Sequence, residues 1–233
     1  MVAVRDVDLA VHKGDVLALC GDNGAGKSSL IKVVSGAENA TEGTMRLRGE
    51  PVTFKSPHDA LMKGVATIYQ DLALAPRLTI YENVFMGAEL THTLLPFVKV
   101  LARGKMAREA RSYLSRLSID IEDTRRPVDD LSGGQRQAVA ISRALRWDAE
   151  IIIMDEPTAA LGVKETGQVL DLIGKLRDDG HTIILISHNM HDVVAVANRV
   201  AILRQGRKIH DRPIDGLKPD DITYMIMGTE AAA

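Results

Sequence analysis

Cysteine is almost missing from this chain of 233 residues: Cys20 stands alone, which excludes an internal disulfide and a Cys-x-x-Cys metal site and suits a reducing compartment. It follows the apolar run Val16 to Leu19, so it is expected to be buried and inert. Long apolar runs are missing as well. Nothing approaches the roughly 18 consecutive apolar residues that cross a bilayer, and the N-terminus lacks the charged-then-apolar pattern of a signal peptide. If the chain serves transport, the pore belongs to another polypeptide. Neither sign of charge prevails, with 29 Lys and Arg against 31 Asp and Glu. The basic face that nucleic-acid binding requires is not indicated, and no nucleic-acid partner is expected. Low-complexity linkers and internal repeats are absent. What is present, 45% apolar and 26% charged residues, suits one domain with subdomains or two small domains.

Short apolar runs that end in glycine or acidic residues alternate with longer segments of helical period, the pattern of a parallel sheet with crossover helices. Val16 to Cys20, Ile151 to Met154 and Thr182 to Ser187 read as strands covered on both faces. Each is followed at once by polar residues, and ligands of such sheets sit at the carboxyl ends of the strands. Residues 1–13 and 44–54 alternate more like antiparallel strands, with a turn at Gly49 and Glu50, and are assigned to a small β subdomain. Residues 72–147 read as an inserted helical subdomain, including a helix over Met106 to Ser118, with no strong strand run inside it.

Gly21-Asp22-Asn23-Gly24-Ala25-Gly26-Lys27-Ser28 fits the phosphate-loop pattern G-x-x-x-x-G-K-[ST] and lies between a predicted strand and a predicted helix, with Ser29 next in line. The glycines let the backbone turn its N–H groups onto a phosphate, and the helix N-terminus adds positive potential. Lys27 supplies a point charge for the β- and γ-phosphates, and the Ser28 hydroxyl can ligate Mg²⁺. Ile151 to Met154 delivers Asp155 to the metal side of the same site and Glu156 as general base for the attacking water. Each motif has a plain alternative, a glycine-rich turn or a strand that simply ends. Ser132 in Leu131-Ser132-Gly133-Gly134-Gln135 could likewise be only the N-cap of the helical run from Arg136 to Trp147.

Taken together these motifs resemble the ATP-binding cassette (ABC) proteins, in which the Leu-Ser-Gly-Gly-Gln pentapeptide is the signature motif. The resemblance implies an α/β P-loop NTPase fold with a RecA-like parallel-sheet core, one ATP-binding domain over 1–233, and ATP hydrolysis with Mg²⁺. It implies that Ser132, Gly133, Gly134 and Gln135 face the γ-phosphate. Gln70, in Thr-Ile-Tyr-Gln-Asp, looks like the family glutamine that contacts Mg²⁺ or water and links the site to the helical subdomain. His188, in Leu-Ile-Ser-His-Asn, looks like the switch histidine. The other six histidines carry no ligand-like spacing and read as surface or satisfied residues. Running from Val4 to about Gly228, the resemblance is to ATPases of sugar importers of the ribose, xylose and fructose type. It implies a head-to-tail homodimer at the cytoplasmic face of the inner membrane, a separate permease, and indirectly a periplasmic solute-binding protein.

Two departures from the family pattern stand out. Residues 1–20 contain no Phe, Tyr or Trp, whereas most cassettes stack adenine on an aromatic ahead of the phosphate loop. The first strand and that aromatic would precede Met1, so weakened nucleotide affinity is expected. Ala160-Leu161-Gly162 stands where the family usually reads Ala-Leu-Asp, which removes a carboxylate used in sensing between subunits. Leu72, Leu74, Pro76, Leu78, Tyr81 and Phe85 form either a permease-docking face or the core of the helical subdomain. Two other function classes are an ABC ATPase of DNA repair, chromosome organisation or translation, and an exporter motor. The first usually carries coiled-coil insertions, zinc motifs or paired cassettes; the second shares the same ATP chemistry.

Overall fold

The three apolar runs become adjacent central strands of one sheet. The computed structural model describes residues 2–228. From the N-terminus come β1 (Val16–Cys20), α1 (Lys27–Val34), the hairpin β2 (Met45–Leu47) and β3 (Glu50–Val52), α2 (Pro57–Met62) and β4 (Val65–Ile68). Next follow α3 (Ile80–Phe85), the hairpin β5 (Thr91–Leu95) and β6 (Val98–Leu101), α4 (Arg103–Arg116) and α5 (Gly133–Arg146). The chain then returns through β7 (Ile151–Asp155), α6 (Val163–Asp178), β8 (Thr182–Ile186), α7 (Met190–Val196), β9 (Arg199–Arg204), β10 (Arg207–Pro213) and α8 (Pro219–Met227). The main sheet has the order β10-β9-β1-β8-β7-β4, parallel throughout except for the β10 edge, which is antiparallel to β9.

Side chains alternate across each strand, so the sheet divides the apolar interior in two. Val16, Ala18, Ile152, Met154, Ile183 and Leu185 face one core with residues of α3 to α8. Leu17, Leu19, Ile153, Ile184 and Ile186 face the other with Ile31 of α1, Phe54 and Ala60 of α2. The helical segment shares the first core with the sheet instead of owning one. Among the described residues, no helix is long and apolar enough to cross a membrane.

Two sequence expectations are corrected, and a third point left open by the sequence is decided. Residues 2–13 form no strand; Met1 lies outside the described residues. Val7, Leu9 and Val11 do alternate and pack against the second core. Only one backbone bond, Arg5 N–H to Gly206 O at 2.8 Å, ties the segment to neighbouring chain, and alternation without a ladder is not a strand. The β2–β3 hairpin does form, but its turn is Arg48-Gly49, both at positive φ, and Glu50 already belongs to β3.

The second correction is that 72–147 is not helical throughout, because β5 and β6 interrupt it. Here the β-branched and turn residues of Thr-His-Thr-Leu-Leu-Pro-Phe-Val-Lys-Val-Leu outweigh helical period. The point left open concerns docking. Tyr81 and Phe85 are core residues, and Leu72 and Leu74 pack half-buried against it, which leaves Pro76 and Leu78 exposed. A capping box between Thr79 and Glu82 starts α3 and turns Tyr81 and Phe85 inward.

Candidate active site

Because β1, β8 and β7 are parallel neighbours, their carboxyl ends share one edge. The register places Leu19 and Asp155 both opposite Ile186, so whatever follows these strands emerges side by side. Gly21, Glu156 and His188 do so. β4 lies beyond β7 with Ile68 opposite Met154, which sets the exposed Gln70 at the same edge two residues past its strand.

The loop from Gly21 to Gly26 is shaped by close approach. A Cβ on Gly21 (φ +148°) would lie 2.2 Å from the carbonyl oxygen of Leu203, so no larger residue fits without moving β9. Gly26 takes φ 101° at the N-cap of α1, a left-handed conformation costly to any side chain. Having no side chain, it leaves the helix without a side-chain cap, and the first turn carries no acidic residue. The free N–H groups and positive dipole end of α1 are therefore not neutralised by the chain's own groups.

Lys27, only 7% exposed, folds back to donate to the carbonyl oxygens of Gly21 and Asp22, the latter at 3.0 Å. Burial pushes its ammonium below the ordinary lysine value, opposed by the carboxylates of Glu156, Asp155 and Asp22. Ser28 is exposed and Ser29 half-buried at the start of the helix. A buried cation and a row of uncommitted donors suit a phosphate group.

Across from the loop, Asp155 ends β7 half-buried, and burial raises its pKa against the opposing charges of Lys27 and His188. Glu156 takes φ 50°, uncommon for a residue with a side chain, and its N–H donates to Ile186 O at 2.9 Å. That turn aims its carboxyl back over the strand ends. Burial raises its pKa, held back first by the charge of His188 and then by His188's backbone N–H, while Asp155 adds to the rise. His188 N–H reaches Oε2 at 3.4 Å, and its Nε2 stands 3.3 Å from Oε1 without hydrogen-bond geometry. Glu156 Oε1 is thus buried with no hydrogen-bond partner, the condition of a group waiting for an external one. Beneath, burial pushes the Cys20 thiol up to about 12, so it is inert as expected.

The Leu131–Gln135 segment is elsewhere engaged. Ser132 caps α5, accepting from Gln135 N–H at 3.4 Å, while Gln135 Oε1 accepts from Ser132 N–H at 3.1 Å. Gly133 N–H donates to Glu165 Oε1 at 2.9 Å, and Gly162 N–H to Glu165 Oε2 at 3.4 Å. Among the described residues, no side-chain hydrogen bond joins 131–135 to the phosphate loop. Glu165 is the residue that sequence reasoning missed. Half of its role was signalled, since an acidic residue three positions after Gly162 completes a helix start, whereas its bond to Gly133 was not. A carboxylate absent at position 162 is supplied to the same loop from one turn further on.

Fold and edge site together define a P-loop ATPase. Residues 4–159 match the sequence profile described as ABC transporter. The chain is 44% identical to a fructose import ATP-binding protein of Rhizobium meliloti, covering 97% of this chain and 88% of that one. It is 43% identical to a xylose/arabinose import ATP-binding protein of Sulfolobus acidocaldarius, over 96% and 87%. A ribose import ATP-binding protein of Escherichia coli O157:H7 is 40% identical over 97% of this chain but only 44% of its own length. Among solved structures, an ABC transporter cassette in its ADP conformation superposes with TM-score 0.79 at 26% identity, covering 97% of this chain and 89% of the other. A nucleotide-free cassette gives 0.75 at 28% identity, over 91% and 85%. The chain belongs to the ABC transporter family, as an ATP-binding and ATP-hydrolysing cassette.

Proposed function

We propose that this chain is the motor of an importer for a sugar or similar small solute, working as a head-to-tail pair at the cytoplasmic face of the cell membrane. The solute class is drawn from the import proteins of fructose, xylose/arabinose and ribose that it resembles. A permease and a solute-binding protein outside the cell would hold the specificity.

The reading rests above all on the buried Oε1 of Glu156, which makes no hydrogen bond and has only His188 Nε2 at 3.3 Å beside it, at the rim of a phosphate loop. Residues 21–29 bind the phosphates through backbone N–H groups and Lys27. Glu156 takes the proton of the attacking water, with His188 holding its carboxyl in place, and Gln70 carries the change of state toward the helical segment. Such a base contributes about 10²- to 10⁴-fold. Mg²⁺ would be held by Ser28 and Asp155, with Gln70 beside it, and would neutralise phosphate charge. This sparse donor set suits it, since Mg²⁺ normally takes one or two carboxylates plus phosphate oxygens and water, and among the described residues no cluster of three or more His, Cys, Asp or Glu offers a cage.

Ser132 to Gln135 would complete the site of the second copy, consistent with their bonding to α6 and not to their own phosphate loop. Steady-state ATPase activity measured against protein concentration tests this. Activity rising more steeply than linearly, and lost in Glu156→Gln, is expected. A linear dependence would sink the shared site, and an active Glu156→Gln would remove Glu156 as the base.

A further inference from the structure

The β5–β6 hairpin has no evident place in the ATP cycle, yet among the described residues it gathers more exposed large apolar side chains than any other element: Leu94, Leu95, Phe97, Val98 and Leu101. It forms a two-stranded sheet of its own. Its base is clamped where Ala102 N–H donates to Leu90 O at 2.7 Å and Leu90 N–H to Met106 Sδ at 3.4 Å. Beyond that clamp every residue is exposed except Val100, which is half-buried. An isolated hairpin is marginally stable in water, so one held clear of the core is placed there for something outside it.

Its tip is built for display. Leu95 pairs with Val98, leaving Pro96-Phe97 as the two-residue turn, and Leu94 is a bulged extra residue that crowds a third large side chain to the end. Phe97 takes φ 75°, where glycine is the ordinary choice, and is fully exposed at 103%. Leu94 and Leu95 are 62% and 60% exposed. The apolar surface wraps the ribbon: Leu95 and Val98 share one face, and Leu101 lies on the other.

Behind the tip, charge is one-sided. Met106, Ala107, Ala110 and Leu114 turn one face of α4 into the core, which leaves Lys105, Arg108, Arg111 and Arg116 outward, with Arg103 exposed at the helix start and Lys99 on β6. Residues 91–116 hold six basic residues and one acidic one in a chain whose net charge is −2. Only Lys105 has a carboxylate within 4 Å among the described residues, Glu109 at 3.7 Å.

We propose that this hairpin is a lipid anchor: its tip enters the interfacial layer of an anionic bilayer while Lys99 and the basic face of α4 lie against the headgroups. A protein groove covers one face of a ribbon, whereas a fluid acyl layer takes apolar residues on both, and negative headgroups complement the collar. The inference depends on the proposed function only for where the chain would meet a membrane.

Sedimentation of the purified full chain with vesicles tests it, with no permease present. Binding to phosphatidylglycerol-rich vesicles, little to pure phosphatidylcholine, and weakening with salt are expected. Leu94→Ser with Leu95→Ser and Phe97→Ser, or Arg108→Glu with Arg111→Glu, should each weaken binding at least about tenfold with ATPase activity unchanged. Should the triple variant misfold, Phe97→Trp keeps the question open to measurement, since brominated lipid should quench its emission. Absence of vesicle binding, equal binding by the variants, or a hairpin that captures solubilised permease while vesicles bind nothing would each overturn the anchor. A chain that binds vesicles but hydrolyses no ATP would count against the motor and leave the anchor standing.

Discussion

Two helix N-termini in this chain carry the residues expected to face phosphate, and they are finished in opposite ways. α1 begins at Gly26 with no side-chain cap and no acid in its first turn, beside the buried ammonium of Lys27. α5 begins at Ser132 with a complete capping box and a carboxylate from Glu165 on Gly133 N–H. The first end is open to an anion within a single chain. The second is largely satisfied by its own chain, so an anion that reaches Gly133 N–H must exchange with Glu165. The difference separates a preformed site from one that is assembled on demand.

That contrast can be broken most decisively at Lys27. Lys27→Ala removes the only buried cation at the open end, and ATPase activity should fall at least about 10²-fold with the fold retained by circular dichroism. Near-normal turnover would mean that α1 is not where phosphate binds. At the closed end the effect is smaller. Glu165→Ala should cost about 0.5–2 kcal/mol in denaturant unfolding, the range for losing a helix cap, while ATP-dependent dimerisation strengthens because no carboxylate competes for Gly133 N–H. Stability lost with dimerisation weakened would make Glu165 a support and not a competitor.

The smallest effect concerns pH. Burial raises the Glu156 pKa, so its carboxyl stays protonated where an ordinary glutamate at 4.5 has ionised, and activity should rise with pH through a midpoint above that value. His188 opposes the rise by its charge. His188→Ala should therefore move the acid limb of the profile upward, whatever it does to the maximal rate. An unmoved limb would place some other group in control of it.

Much of the strand-end site was legible because its residues are contiguous with the strands that place them. An apolar run followed by Gly21, by Asp155-Glu156 or by Ser187-His188 needs only a parallel sheet to bring the three together. Glu165 was less visible, since its role depends on the packing of α6 against the start of α5, which no local pattern encodes. Tyr81 and Phe85 stayed open for the converse reason: apolar residues after Gln70 read alike whether they face a core or a partner, and burial beside the capping box at Thr79 decided the matter. The β5–β6 hairpin was hidden by its exposure, because a ribbon apolar on both faces lacks the alternation that marks a half-buried strand.

The division of the interior by the sheet gives the two halves of the machine separate footings. Ile31 of α1 rests on the core lined by Leu17, Leu19 and Ile186, whereas Val139 and Ile141 of α5 rest on the one lined by Ala18, Met154 and Leu185. The strands of the sheet run between them. Substitutions accumulating around Val139 and Ile141 can therefore repack one core while leaving Leu17, Leu19 and Ile186 under α1 untouched, much as a building can be refitted on one side of a bearing wall.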